Sequence, residues 1–144
     1  MNLPIKKLNP RAVLPQYQTP GSSGADLYAL LDGEFHLMPH QTAAIPTGLA
    51  VAVPLGFEMQ IRARSGLAAK GIIVPNGPGT IDSDYRGELK ILLHNLSDQV
   101  FVVEPEMRIA QAVVTPVQQC CFVENDTLPA TDRNEGGFGS TGIK

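Results

Sequence analysis

The stretch FEMQIRAR, Phe57 to Arg64, alternates without a break. Phe57, Met59, Ile61 and Ala63 fall on one face of an extended chain and Glu58, Gln60, Arg62 and Arg64 on the other, the period of two that marks a half-buried β-strand. The pattern puts Arg64 on a polar face as the chain leaves the sheet. Working outward, further runs carry β-branched or alternating residues: FHLMP (35–39), TAAIPTGLAVAVP (42–54), GELKILLHNLS (87–97), QVFVVEP (99–105) and RIAQAVVTPVQQCCFVEN (108–125), with Pro or Gly at most of their ends. Many short, punctuated strands predict an all-β sandwich or barrel. One short helix is expected directly after the decisive strand, in SGLAAKG, with Ser65 as its N-cap and Gly71 as its terminator. No internal repeat is present.

The totals agree with that reading. A chain of 144 residues suits one domain with a real core. It carries 14 Gly and 12 Pro, which long helices do not tolerate, and 6% aromatics, so the core is expected from Val, Ile, Leu and Ala. The formal charge of -3, with no basic run, argues against a nucleic-acid polymer as partner and leaves a single nucleotide open. No stretch has signal-peptide or membrane-span character, so a cytoplasmic location and no membrane partner are expected. Cys120 and Cys121 are adjacent, which argues against an ordinary disulfide between them, and they are read as core filler. From about Leu128 the composition changes to LPATDRNEGGFGSTGIK, which reads as a detached tail.

Several segments carry chemistry. In RSGLAAKG (64–71), a helix start offers unpaired backbone N–H groups and Arg64 adds a cation, an anion site in outline; plain capping is the other reading. In RNEGGFGSTG (133–142), glycines let the backbone wrap an anion, while Arg133, Ser140 and Thr141 add donors. The segment lacks the Gly-Lys-Ser/Thr ending of a Walker loop, and Phe138, an aromatic with no core of its own, is suited to stack on a flat ligand. The alternative is a disordered tail. GTIDSDYRGE (79–88), between strand-like flanks, is read as the end of a β-hairpin. There Asp82 and Asp84 are candidates for a general base and a cation ligand, or for a turn without chemistry. GADLYA (24–29) adds Asp26 beside small residues. In EMRIAQAVV (106–114), the odd spacing of Arg108 and Gln111 points them to opposite faces unless a bulge intervenes, so one of them is expected to be structural. His36, His40 and His94 show no metal-ligand spacing and are read as surface or sheet residues.

Together and in order, GADLYA, RSGLAAKG, NGPGTIDSDYRGE, EMRIAQAVV and RNEGGFGSTG closely resemble the five motifs of the trimeric deoxyuridine triphosphate nucleotidohydrolases, the dUTPases; the resemblance spans Gly24 to Gly142. It implies a jelly-roll-like distorted β-barrel over 1–130 forming a homotrimer, with active sites shared at subunit interfaces, and a flexible Gly-rich C-terminal arm over 131–144 that closes over a site. It also implies an activity: hydrolysis of dUTP to dUMP and pyrophosphate, which limits uracil incorporation into DNA and supplies dUMP for thymidylate synthesis. By the same resemblance, Asp82 orients and deprotonates the water that attacks the α-phosphorus. Asn76, with backbone groups of Gly77 to Ile81 including Thr80, reads the uracil edge, and Tyr85 packs against the deoxyribose. Arg64, Ser65 and Gly66 from one subunit hold the phosphates, with Gln111 helping to place them or the water. Phe138 covers the uracil, Arg133, Ser140 and Thr141 clasp the γ-phosphate, and Gly139 and Lys90 are counted among the substrate contacts, the part of Lys90 unassigned. Mg2+ binds mainly triphosphate oxygens, with Asp26 touching it through water. Asp84 is assigned a structural part. Two readings compete: the dCTP deaminases, which share the fold and some motifs, and a jelly-roll binding protein without catalysis.

Overall fold

The computed structural model describes residues 1–140 and 142. In chain order the elements are β1 (Ile5–Lys7), β2 (Ala25–Tyr28), β3 (Phe35–Leu37), β4 (Thr42–Pro46), β5 (Leu49–Val51), β6 (Phe57–Arg62), α1 (Ser65–Ala68), β7 (Ile72–Ile73), β8 (Gly79–Ile81), β9 (Lys90–Asn95), β10 (Phe101–Val103) and β11 (Arg108–Pro116). Every strand pairing is antiparallel. The strands form a β2-β11-β6-β8 sheet, a β4-β9-β7 sheet and the pairs β1-β5 and β10-β3. Among the described residues, no helix is long and apolar enough to cross a membrane.

One aliphatic core lies between these sheets. Leu27, Leu37, Ile45, Leu49, Ile72, Leu89, Ile91, Leu93 and Ile109 are fully buried, whereas Phe35, Phe57 and Phe101 only pack against the edge of the cluster. The alternation in β6 is realised: Met59 and Ile61 enter the core, and Glu58, Gln60 and Arg62 form a hydrogen-bonded row on the other face. Two polar residues lie wholly inside, both satisfied, as burial without water requires. Thr47 donates its hydroxyl to the Leu89 carbonyl (2.7 Å), and Asn95 donates its amide to the carbonyls of Leu37 and Gln99.

The structure differs from the sequence reading at several points. The TAAIPTGLAVAVP run is two strands, because Gly48 turns the chain at φ +68; a Cβ there would lie 2.5 Å from Leu30 and 3.0 Å from Ala12, which a close left-handed turn allows only glycine to avoid. The strand-like flanks of the Asp82 segment do pair antiparallel, β7 with β9, but Asp82 does not sit at a tight tip between them. β8 pairs with β6 while β9 pairs with β4 and β7, so residues 82–89 cross between sheets. Alternation identifies a strand but not its partner, which packing chooses. Cys120 and Cys121 are exposed rather than core filler, because β11 ends at Pro116 and Pro116 to Glu135 run over the outside of the described chain. His36 and His94 lie in strands and His40 in a turn, where they were expected.

Candidate active site

A cleft of about 410 Å³ opens where β2, β6 and β11 end beside α1. Register brings its floor together: Gln111 on β11 stands opposite Asp26 on β2 and opposite Arg62 on β6. Asp26 is 6% exposed and anchors the charges. Its Oδ1 accepts from Arg64 Nε and its Oδ2 from Arg108 Nη1, both at 3.1 Å, and Arg64 Nη1 also donates to the Arg108 carbonyl at 3.0 Å. Arg64 thus leaves the strand on the polar face, as expected: Asp26 and Gln111 stand in register with Arg62 on that face, and the buried carboxylate holds Arg64 at the cleft wall. Arg64 and Arg108 share one carboxylate and Arg62 also lines the cleft, which leaves an excess of positive charge that suits an anion.

Arg108 and Gln111 reach the same site. The register of β11 slips between Arg108 and Ala110, so one extra residue cancels the odd spacing between them. Gln111 donates Nε2 to the Ala63 carbonyl (3.0 Å), and its Cδ lies 3.0 Å from where a Cβ on Gly24 would stand, so Gly24 leaves the space that the glutamine fills. Ser65 and Gly66 line the cleft at the start of α1. Ser65 is not the N-cap. Arg64, in extended conformation, holds that position, and no side-chain hydrogen bond caps the helix, so Ser65 is free to face the cleft. Gly71 ends the turn at φ +81, as expected.

A second recess, of about 370 Å³, is lined by Thr80, Ile81, Asp82, Tyr85, Glu88 and Lys90. Asp82 is exposed, and among the described residues its carboxylate accepts no hydrogen bond. Its carbonyl accepts the Tyr85 N–H at 3.2 Å, which closes the turn, and the Tyr85 hydroxyl donates to the Glu88 carbonyl at 3.1 Å. Asp84 lines a neighbouring groove with Asp82, Glu58 and Gln119. Gly77 lines a different recess with Arg62, Ala63 and Pro78, and Asn76 turns its amide toward Gly79. The chain thus brings Arg64, Ser65, Gly66, Gln111 and Asp26 together at one place and Asp82, Tyr85, Thr80, Ile81 and Lys90 at another.

The two groups are far apart within one chain. β8 pairs Ile81 with Met59, which puts Asp82 level with Glu58, and Arg64 lies six residues further on, in extended chain two residues past the end of β6. At ~3.3 Å per residue the gap is about 20 Å. The described residues of the arm line neither: Arg133 Nε donates to the Gly136 carbonyl (2.7 Å), Ser140 N–H to the Gly137 carbonyl (2.9 Å), and Phe138 is fully exposed at φ 48. The expectation for Thr141 lies outside the described residues.

A dUTPase family model matches residues 11–142. The chain belongs to the dUTPase family. The deoxyuridine 5'-triphosphate nucleotidohydrolase of Chlamydia pneumoniae is 54% identical over 131 residues, 90% of each chain. Its namesake in Syntrophotalea carbinolica is 49% identical over 144 residues, 99% of this chain and 98% of the relative. Among solved structures, a mutant dUTPase of phage 80α matches with a TM-score of 0.86 at 25% identity, over 96% of this chain and 98% of that one. Another mutant of that phage dUTPase, solved with dUpNHpp, matches with a TM-score of 0.86 at 24% identity over 99% of both chains. These neighbours give the fold its description, a jelly-roll-like β-barrel.

In this dUTPase-family chain, sequence reasoning left some residues of the site without a part. Arg108 was unassigned, and the bulge that brings it to Asp26 leaves no mark in the alternation of β11. Gln18, Ser22 and Ser23 line the anion cleft from the loop before β2, where Ser22 and Thr19 hydroxyls hydrogen-bond at 2.9 Å. The Ser-Ser-Gly run at Ser22 was the available signal, since small polar residues beside an acidic one leave room for a ligand. Glu88 sits inside the DYRGE motif, yet what its carboxylate holds, the Gly48 N–H at 2.9 Å, is 40 residues away in sequence.

Proposed function

We infer that this dUTPase-family chain is a dUTP diphosphatase, hydrolysing dUTP to dUMP and pyrophosphate, and that each active site is assembled between subunits of a homotrimer. The observation that carries the reading is the separation of the anion cleft from Asp82. A general base must lie within hydrogen-bond reach of the water it activates, and the reacting atoms approach within ~3.5 Å. A gap of about 20 Å along the sheet prevents one chain from offering both halves to one substrate. Apposing the cleft of one subunit to the Asp82 recess of the next removes that obstacle.

In such a site, the anion cleft takes the triphosphate. Arg64, the backbone N–H groups of Ser65 and Gly66, and Gln111 hold its oxygens, and the second subunit supplies Asp82. Asp82 removes a proton from water as the water oxygen bonds to the α-phosphorus. The bond from the α-phosphorus to the bridging oxygen breaks, and its electron pair leaves with pyrophosphate. Donors fixed around the phosphates favour the charge that develops there. Asn76 and the backbone of Gly77, Thr80 and Ile81 read uracil, Tyr85 forms the wall beside the deoxyribose, and Lys90 lies at the edge of the same recess. The arm, residues 131–144 beyond a barrel domain at 1–130, lays Phe138 over the base and places Arg133, Gly139, Ser140 and Thr141 at the γ-phosphate. The full exposure of Phe138 supports this, since it has no partner in its own barrel.

The residues present fit a divalent cation carried mainly by substrate. Among the described residues, no group of three His, Cys, Asp or Glu side chains gathers to hold a metal. Asp26 gives one lone pair of each oxygen to a guanidinium and keeps others for water, so it would touch Mg2+ only through water. Bound there, the cation would neutralise phosphate charge; orientation and proton removal remain with the side chains named above.

The test is pyrophosphate release across a panel of nucleoside triphosphates, with ammonia release from dCTP as the control for a deaminase. We expect turnover of dUTP far above UTP, dTTP and dCTP. Asp82→Asn should keep assembly and nucleotide binding while slowing hydrolysis by at least ~100-fold. Near-normal turnover in that variant would remove Asp82 from the mechanism.

A further inference from the structure

Gly87 is a glycine without an obvious backbone reason. Its φ is outside the left-handed region, unlike that of Gly48 or Gly71, so an alanine could adopt its backbone. What excludes a side chain is the ring of Tyr85: a Cβ on Gly87 would lie 2.5 Å from Tyr85 Cζ and 3.0 Å from Cε2, and would also collide with the hydroxyl. The ring therefore lies directly on the Gly87 backbone.

Its far end is fixed as well. The Tyr85 hydroxyl donates to the Glu88 carbonyl (3.1 Å), and Glu88 is itself held: Oε1 accepts the Gly48 N–H at 2.9 Å, and Oε2 is 3.8 Å from Lys90 Nζ. The next residue, Leu89, is buried and donates its N–H to the Leu49 carbonyl at 2.8 Å. At the other end, the Tyr85 N–H is tied to the carbonyl of Asp82. A ring on an exposed turn is thus pinned to the rigid junction of β4, β5 and β9.

We propose that Gly87 and Glu88 are positioning residues for substrate selectivity. Gly87 supplies the space the Tyr85 ring occupies, and Glu88 fixes the carbonyl that receives its hydroxyl, so together they set where the sugar wall stands. The inference rests on the reading of Tyr85 as that wall. A ring displaced by a methyl group opens room for a ribose 2′-hydroxyl, and the same movement disturbs the turn that carries Asp82.

The experiment is a double-mutant cycle read as the dUTP/UTP ratio of kcat/KM, with thermal denaturation to check folding. Gly87→Ala should lower the ratio by about tenfold or more with an unchanged Tm, as kcat/KM for dUTP falls while UTP gains the room that the ring had closed. Glu88→Ala should lower it less. Gly87→Ala combined with Tyr85→Ala should be no worse than Tyr85→Ala alone, because the glycine acts through the ring. If Tyr85→Ala leaves the ratio unchanged, the sugar-wall reading itself fails. If Tyr85→Ala lowers the ratio but Gly87→Ala does not, or the two losses multiply, the seat is wrong while the wall stands. Should Gly87→Ala fold poorly, Tyr85→Phe decides the hydroxyl anchor alone: a retained ratio refutes it.

Discussion

Mixing two damaged subunits tests the composite site most directly. Asp82→Asn removes the base from one half, and Arg64→Ala removes a phosphate ligand from the other while Arg108 keeps its bond to Asp26. Each variant alone should be poor: loss of the base costs at least ~100-fold, and loss of a charged hydrogen bond of ~1.5–3 kcal/mol costs about 10- to 100-fold. The two positions are about 20 Å apart along the sheet, so in a closed ring each site takes Asp82 from one subunit and Arg64 from its neighbour. When equal amounts are unfolded together and refolded, the Asp82-bearing half and the Arg64-bearing half are each intact half the time. About one quarter of sites in such a cyclic assembly are then whole. The mixture should recover about a quarter of unmodified activity, well above either parent, in a pyrophosphate-release assay. Tagged subunits confirm that mixed assemblies formed. Activity that stays at the average of the parents, despite confirmed mixing, would refute the composite site and require both halves to act within one chain.

Two other outcomes follow from the geometry. Asp26→Asn removes the charge that holds two guanidiniums; because the Arg64 and Arg108 side chains are 28% and 43% exposed, solvent screens part of the loss. The expected cost is about 1 kcal/mol of stability, below the ~1.5–3 kcal/mol of an unscreened charged hydrogen bond, with a raised KM for dUTP; denaturation and steady-state kinetics both unchanged would contradict the anchor. Deleting the chain from Asp132 should leave the Tm and assembly intact, because among the described residues none beyond Val114 belongs to or packs against the core, while turnover falls severely. In the intact protein, cleavage near Arg133 should slow with a non-hydrolysable dUTP analogue and much less with dUMP; equal protection by both would return the arm to a plain tail.

The period of two in FEMQIRAR determined β6 and its buried face, because side-chain direction in a strand is a local property. Composition determined an aliphatic core with aromatics at its edge, since few aromatic residues were available to fill it. The order of short motifs determined the family, and with it the activity. What the sequence could not decide is which strands pair. β8 joins β6, and not the β7 or β9 that flank it in the chain, and that choice sets Asp82 far from Arg64. Nor does alternation record the one-residue slip in β11 that turns Arg108 back to Asp26, because the slip belongs to the pairing of two strands and not to either one. The same holds for the Gly87 seat: the glycine is visible in DYRGE, but the ring that requires it is placed there by bonds from Glu88 to Gly48, and only the tertiary structure brings those residues together.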